Sequence, residues 1–389
     1  MFEILKEKYR GAFKEDPLFI FAAPGRTELG GNHTDHQHGE VIASAVDRAT
    51  TAAVRYRDDK IVRLISEGFP ECLIDLSDTG VSEAEKGTTA SLIRGVAAWF
   101  SENGYPIRGF NAYVVSDVLS GSGLSSSAAF EVLIGNILND MTEAGLAPEK
   151  LAQIGQYAEN VYFGKPSGLM DQMASSVGNI VHIDFGSPEP VIEKIDYDLA
   201  ASGYVMCIID TGADHADLTD DYAAIPAELG SVCALFGKKY LREVSEDEFY
   251  AELCTVREKC GDRAVLRAMH VFDENRRVRK QAEALKSNDT EGFLSLVNES
   301  GISSWTMLQN VDTYRNSGHQ EVAFALSLAR RSLNGKGACR VHGGGFAGTI
   351  QAFVPCDMAD DFRRDIDSVL GEGSCAVMNI GCPGAGKAE

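Results

Sequence analysis

Ser120-Gly-Ser-Gly-Leu-Ser-Ser-Ser-Ala-Ala129 sets three consecutive serines and two glycines just ahead of an apolar stripe. Phe130, Leu133, Ile134, Ile137, Leu138 and Met141 recur at helical spacing, which predicts a helix over 127–141. Residues 110–118, rich in Val and aromatics, predict a strand. The stretch between them is then a Gly/Ser turn leading into a helix N-terminus, where unpaired N–H groups and the positive end of the helix dipole meet. Glycine lets backbone amides come close to an anion, and small hydroxyls add donors. Phosphate is the expected guest. A tight turn with a serine N-cap needs one serine rather than three.

Two carboxylates extend this chemistry. Asp171, in Gly164-Lys-Pro-Ser-Gly-Leu-Met-Asp-Gln-Met173, is placed either to cap the helix after it or to receive or orient a substrate hydroxyl proton. Arg26 could pair with it and favour its ionised form. Ser127 and Glu159 offer hard oxygens suited to Mg²⁺, although Glu159 in mid-helix also reads as a solvated surface residue. His33, Asp35, His36 and His38 invite a zinc reading. Side chains so close in sequence do not converge on one tetrahedral ion without outside help, and a polar loop facing a polyol fits them better.

Two further motifs fail on context. Gly343 to Gly348 matches G-x-G-x-x-G, but Thr349 to Val354 reads as a strand, whereas a dinucleotide site needs a helix there. A Gly-rich hairpin packed beside an active site is expected instead. Gly381-Cys-Pro-Gly-Ala-Gly-Lys387 begins like a P-loop, but Ala388 replaces the metal-binding Ser/Thr and no helix follows. A flexible tail is expected.

The elements that must position these residues follow from periodicity. Helices are expected at 1–16, 88–103, 127–141, 148–163 and 357–370, with several more between 222 and 333. Strands are expected at 19–23, 41–56, 61–66, 110–118, 204–210, 349–354 and 375–380. Residues 24–39 are almost all polar or Gly and read as an irregular loop, and 75–86 as a surface loop. A change of texture after Gly186-Ser-Pro-Glu-Pro190 puts a domain boundary near 195, dividing 1–195 from 196–389.

Composition bounds the partners. Against 57 acidic residues stand 36 basic ones, a net charge of −21, which argues against nucleic acid and anionic membranes. A phosphate ligand therefore needs local amides, a few chosen cations and a metal ion. Nine scattered cysteines with no C-x-x-C pair read as reduced thiols of a cytoplasmic protein. No signal peptide and no membrane span is expected. The oligomeric state is not legible.

Taken together, Pro24-Gly-Arg26 with His33-Thr-Asp35, Gly121 to Ala129, and Gly343-Gly-Gly-Phe346 with Gly348 resemble the GHMP kinase superfamily, and within it the galactokinases. Ala158-Glu159 and Gly168-Leu-Met-Asp171-Gln resemble that family's catalytic-Asp segment. The resemblance covers nearly the whole chain. It implies an α/β fold of the α+β kind in two lobes, with the active site in the cleft between them. It also implies transfer of the γ-phosphoryl group of ATP to the anomeric hydroxyl of a sugar, with Mg²⁺. Carried over, Asp171 is the base or hydroxyl-orienting residue, with Arg26 beside it. Asn32, His33, Asp35, Gly168 and Tyr222 line the sugar site. Gly121, Ser122, Gly123, Leu124, Ser125, Ser126 and Ser127 wrap the phosphates, and Ser127 and Glu159 hold Mg²⁺.

Five positions depart from the family pattern. Asn32 stands where a Glu that meets the sugar's 6-hydroxyl is usual. Thr27-Glu28 replaces Val-Asn, His36 replaces Tyr, and Ala347 stands where Gly is common. Replacing a carboxylate by an amide at Asn32 removes a charge that would repel a carboxylate at C6. A galacturonate-type 1-kinase is therefore the alternative to galactose. A catalytically silent sugar- and ATP-binding sensor is the third reading.

Overall fold

The computed structural model describes residues 2–118, 123–213, 218–313 and 315–389. The strands are β1 (Phe19–Gly30), β2 (Glu40–Tyr56), β3 (Ile61–Ser66), β4 (Cys72–Asp75), β5 (Phe110–Ser116), β6 (Ile180–Asp184), β7 (Val191–Ile195), β8 (Tyr204–Asp210), β9 (Ala338–Val341), β10 (Thr349–Pro355), β11 (Cys375–Met378) and β12 (Gly386–Lys387). The helices are α1 (Phe2–Phe13), α2 (Thr89–Glu102), α3 (Ser126–Met141), α4 (Pro148–Tyr157), α5 (Met170–Val177), α6 (Thr219–Leu235), α7 (Glu246–Ala251), α8 (Leu253–Cys260), α9 (Asp262–Lys286), α10 (Thr290–Ser303), α11 (Glu321–Leu333) and α12 (Ala359–Leu370). The fold is mixed α/β with two sheets. The first runs β12-β1-β2-β5-β3-β4, with β6 also paired to β2 and β7 to β6. The second is β11-β8-β10-β9, antiparallel throughout.

The apolar stripe of α3 explains how the helix opened by Ser126 and Ser127 is held. Leu133, Ile134, Ile137 and Leu138 are all fully buried against Phe21, Val54, Phe110 and Val114 of the first sheet. Each such side chain is worth roughly 1.5–3 kcal/mol. Strand alternation does the same for the second sheet. Cys207 and Ile209 of β8 face Leu326 and Ala329 of α11 and Phe362 and Ile366 of α12. Met206 and Ile208 face the other way, into a cluster with Leu29 and Ile42 of the first sheet. That shared cluster seats the two sheets against each other behind the cleft.

Three expectations need correction. The polar segment after Ala23 is not all loop. β1 continues to Gly30, paired with β2 as Arg26↔Ala45, Thr27↔Ser44 and Glu28↔Ala43, with register shifts at Pro24/Arg26 and Glu28/Gly30. Its polar side chains are buried in hydrogen-bonded networks, so hydropathy alternation does not reveal the strand. The irregular part is short and ends in a 3₁₀ turn at Asp35–Gln37. Second, β4, β6, β7 and β9 are strands that the sequence pattern does not predict, each being only four or five residues long.

Third, the C-terminal segment is not a free tail. It leaves the second sheet and returns to the first, where β12 pairs with β1 as Phe21↔Lys387 and Ala22↔Gly386. Lys387 Nζ lies 3.6 Å from the Phe19 ring centroid and 3.1 Å from Asp140 Oδ1. On the way, Ala385 N–H donates to Ser175 O of α5. Gly384 packs so tightly there that an added Cβ would lie 2.3 Å from Ser176 O. Gly384, in the stretch that begins like a P-loop, is needed for backbone contact.

Candidate active site

Asp171 lies in the first turn of α5, but the N-cap position is Leu169 and no side chain caps the helix. The carboxylate is committed elsewhere. Arg26 donates to it through Nε (2.6 Å to Oδ1) and Nη2 (2.7 Å to Oδ2), and Ser125 Oγ donates to Oδ2 at 2.6 Å. Arg26 Nη1 donates to Gly123 O at 2.5 Å. The register shift in β1 next to Arg26 re-aims its side chain toward the phosphate loop. Burial pushes the Asp171 carboxyl up, but the Arg26 guanidinium and the hydrogen bonds from Arg26 and Ser125 outweigh it and hold the group below its usual range. Asp171 is thus ionised at neutral pH while its side chain remains 31 % exposed.

Ser125 precedes α3 in the left-handed region (φ 59°, ψ 67°), a strained choice for a serine, of order 1 kcal/mol. That conformation carries its hydroxyl to Asp171, while Ser126 and Ser127 begin the helix. The Leu124 side chain is buried in the cluster between the sheets, and its carbonyl accepts from Arg26 N–H at 3.0 Å. Gly121 and Ser122 lie outside the described residues. Arg26, Gly123, Ser125, Ser126, Ser127 and Asp171 form one wall of a cleft of about 280 Å³. His342, the hairpin residues Gly343 to Gly345 and Ala347 to Thr349 form the facing wall. The Gly-rich segment between β9 and β10 is therefore a hairpin beside the site, as its following strand led us to expect.

Ser127 Oγ donates to Glu159 Oε1 at 3.2 Å. Glu159 is 3 % exposed, and Gln172 Nε2 fixes its other oxygen at 2.9 Å. Its surface reading therefore fails. A hydroxyl and a carboxylate at this spacing fit Mg²⁺, which keeps several waters and takes the remainder of its shell from phosphates. Among the described residues there is no cluster of three or more His, Cys, Asp or Glu arranged to hold a metal.

The histidine-rich turn meets the same centre. An added Cβ on Gly168 would lie 2.1 Å from Asp35 Oδ2, so only glycine lets this carboxylate abut the segment leading to Asp171. His36 Nδ1 lies 3.1 Å from Asp35 Oδ1, and His36 Nε2 lies 3.2 Å from His33 Nδ1. His33 Nε2 is 2.9 Å from Gly344 O and donates to it, since a carbonyl only accepts. Burial, reinforced by the His36 charge, holds His33 down at about 3, so its Nδ1 accepts from His36. Tyr222 of α6 stacks obliquely on His33 with ring centroids 5.4 Å apart. His38 points away and stacks on Tyr240 at 3.6 Å.

Asn32 is placed differently from its neighbours. It is fully buried, and protein groups occupy its amide. Nδ2 donates to Gly343 O (2.7 Å) and Glu28 Oε1 (3.3 Å), and Oδ1 accepts from Asn310 Nδ2 (2.8 Å) and Ser304 Oγ (3.3 Å). Glu28 in turn pairs with the fully buried Arg340. Sequence reasoning missed this acid–amide–guanidinium cluster. It also missed Glu131, a buried carboxyl beside Gln172 whose burial, with Glu159 nearby, keeps it well above its usual range. A signal for Glu131 existed, since it shares a helix face with Ala128 and Gly135. Lys165 was passed over too, although its side chain lines the cleft.

Comparison with known proteins agrees with this geometry. Residues 91–179 match the GHMP kinases N terminal domain, and residues 7–56 match the galactokinase galactose-binding signature. The chain is 32 % identical to a galactokinase of Streptomyces coelicolor, covering 94 % of this chain and 92 % of that one. It is 32 % identical to a galactokinase of Clostridium beijerinckii, covering 93 % and 92 %. The crystal structure of Lactococcus lactis galactokinase complexed with galactose superposes with a TM-score of 0.84 at 28 % identity, over 99 % of both chains. A mevalonate kinase shares the fold alone, with a TM-score of 0.64 at 14 % identity over 94 % of this chain and 99 % of that one. With relatives of 32 % identity matched along almost their full length, and with an ionised aspartate set between the Ser125–Ser127 run and the Gly-rich hairpin, the chain belongs to the galactokinase family of the GHMP kinases.

Proposed function

We propose that the protein transfers the γ-phosphoryl group of ATP to the anomeric hydroxyl of galactose, giving galactose 1-phosphate and ADP. The observation that carries this is the Asp171 carboxylate, clamped by Arg26 and Ser125 where the phosphate loop and the Asp35 turn meet. Asp171 orients the attacking hydroxyl and accepts its proton. Its lowered basicity suits phosphoryl transfer, where charge on the attacking oxygen develops late and positioning matters most. Amides at the start of α3 and the backbone of the Gly-rich hairpin face the phosphates from the two walls. Ser127 and Glu159 would hold Mg²⁺, which when bound neutralises phosphate charge. His33, Asp35, Gly168 and Tyr222 would line the sugar site.

The Glu28–Asn32 pair supports a neutral hexose over a uronate. Compared with the usual family pattern, acid and amide have exchanged positions, so a carboxylate remains within 3.3 Å of the Asn32 amide. The Asn32 amide already spends its hydrogen bonds on protein groups, so the exchange offers no new donor to a sugar carboxylate at C6. The complete Asp171–Arg26–Ser125 constellation disfavours the silent-sensor reading. We place the division of the two lobes near residue 195, between the end of β7 at Ile195 and the start of β8 at Tyr204. A reducing, cytoplasmic setting is in keeping with nine free cysteines, and among the described residues no helix is long and apolar enough to cross a membrane.

The test is ADP release with Mg²⁺ and either galactose or galacturonate, using Asp171→Asn as control. Galactose turnover is expected, with kcat lowered on the order of 10³-fold in the variant and KM for galactose nearly unchanged. Turnover of galacturonate alone would move the assignment to the uronate.

A further inference from the structure

The cleft holds two cations of opposite character. Arg26 is buried and fixed, its N–H groups held by Asp171 and Gly123 O. Lys165 sits on the segment between the turn at Ala158–Phe163 and α5, with its side chain 62 % exposed. Its Nζ lies 3.3 Å from Glu159 Oε1, the same oxygen that accepts from Ser127 Oγ. The lysine ammonium thus stands against the carboxylate oxygen that, with Ser127 Oγ, suits Mg²⁺. The acid partner is immobilised by Gln172, whereas the amine is carried on a flexible four-carbon stem. In a chain of net charge −21, a nucleotide entering here needs positive charge that can move to meet it. The Lys165 charge also acts on Asp171, helping to hold its carboxyl down.

We infer that Lys165 is a further catalytic residue, whose ammonium leaves Glu159 as the nucleotide enters and binds the oxygens of the transferred γ-phosphoryl group. This rests on the kinase reading of the site. In the step itself, the anomeric oxygen bonds to the γ-phosphorus as the bond from that phosphorus to the β,γ-bridging oxygen breaks. ADP leaves with that electron pair, and the sugar hydroxyl proton passes to Asp171. Lys165 keeps its proton throughout and donates N–H bonds to the non-bridging oxygens, where negative charge must be balanced.

The test compares wild type, Lys165→Met and Lys165→Arg by two readouts. Lys165→Met is expected to lower kcat about 100-fold while changing KM for galactose less than threefold, and Lys165→Arg to recover most of the loss. Independently of turnover, the nucleotide-free Met variant is expected to bind Mn²⁺, followed by its electron-spin signal, about tenfold more tightly than wild type, because Glu159 no longer has a competing ammonium. Wild-type kcat in Lys165→Met, or unchanged Mn²⁺ affinity, would overturn the inference while leaving the kinase reading in place. A wild-type protein that phosphorylates no sugar would instead overturn the kinase reading, and the Mn²⁺ comparison would still decide the placement of Lys165.

Discussion

Asn32→Glu is the substitution that would restore the usual family residue at this position, yet the structure makes it harmful by itself. The new carboxylate would replace an amide nitrogen that donates to Glu28 Oε1 at 3.3 Å in a site closed to water. At an effective dielectric of about 20, two such charges repel by about 5 kcal/mol. Protonating one of them at neutral pH costs no more than about 4 kcal/mol, since burial already holds the Glu28 carboxyl above its usual range. The cheaper route sets the penalty, so a loss of up to about 4 kcal/mol is expected. For a chain of 389 residues that is a fall in thermal midpoint of up to about 5 °C. Glu28→Asn alone takes the nearer carboxylate from the fully buried guanidinium of Arg340 and leaves it Glu274 Oε1 at 4.0 Å, at a cost of about 3 kcal/mol. The exchange Glu28→Asn with Asn32→Glu rebuilds one acid, one amide and one guanidinium. It should recover at least half of the summed losses, giving a coupling energy of about 3 kcal/mol. Thermal unfolding followed by circular dichroism, with galactose kinetics on each protein, measures this. An Asn32→Glu protein as stable as wild type, or a double variant no better than the sum of the singles, would refute the electrostatic account of this corner.

Burial also sets a pH dependence. His33 and His342 are both held down at about 3, so the folded protein leaves them neutral where the unfolded chain protonates them near 6.5. The unfolded state therefore binds more protons as pH falls from 6 to 5, and stability should drop by about 1 kcal/mol per pH unit for each residue. Urea unfolding of His342→Gln at the two pH values should show about 1 kcal/mol of this loss removed, and an unchanged slope would contradict it. At the C-terminal strand, Gly384→Ala should cost roughly 2 kcal/mol through overpacking against Ser176 O, while Gly386→Ala, with nothing within 4 Å of the added atom, should be neutral. Equal midpoints for these two glycine variants would refute the docked arrangement.

What the sequence disclosed, and what it hid, follows from which signals reach across the chain. The α3 stripe and the strand after Gly348 rest on local periodicity, and both are found where their patterns put them. Asp171 and Arg26 are separated by 145 positions, yet both lie in segments whose Gly and Pro content marks them as irregular. The polar half of β1 was hidden because its side chains are satisfied by partners far away, Arg340 for Glu28 and His342 for Thr27. Period-two alternation presumes one apolar face, and a strand buried among polar groups has none. The tail was misread for a related reason. A two-residue strand has no periodicity, and its pairing with β1 is fixed by Gly384 and by the fit of Lys387 over Phe19.

The return of β12 to β1 also sets a timetable. A ribosome delivers the chain from its N-terminus, and nearly all of it separates Phe21 from its partner Lys387. At about 5–20 residues per second, that leaves an interval on the order of tens of seconds. Throughout it, the Phe19-Ile20-Phe21 edge of the first sheet stands uncovered, with backbone donors and acceptors open to any other extended chain. Chaperone protection of that edge therefore has to last from the synthesis of β1 until β12 is made.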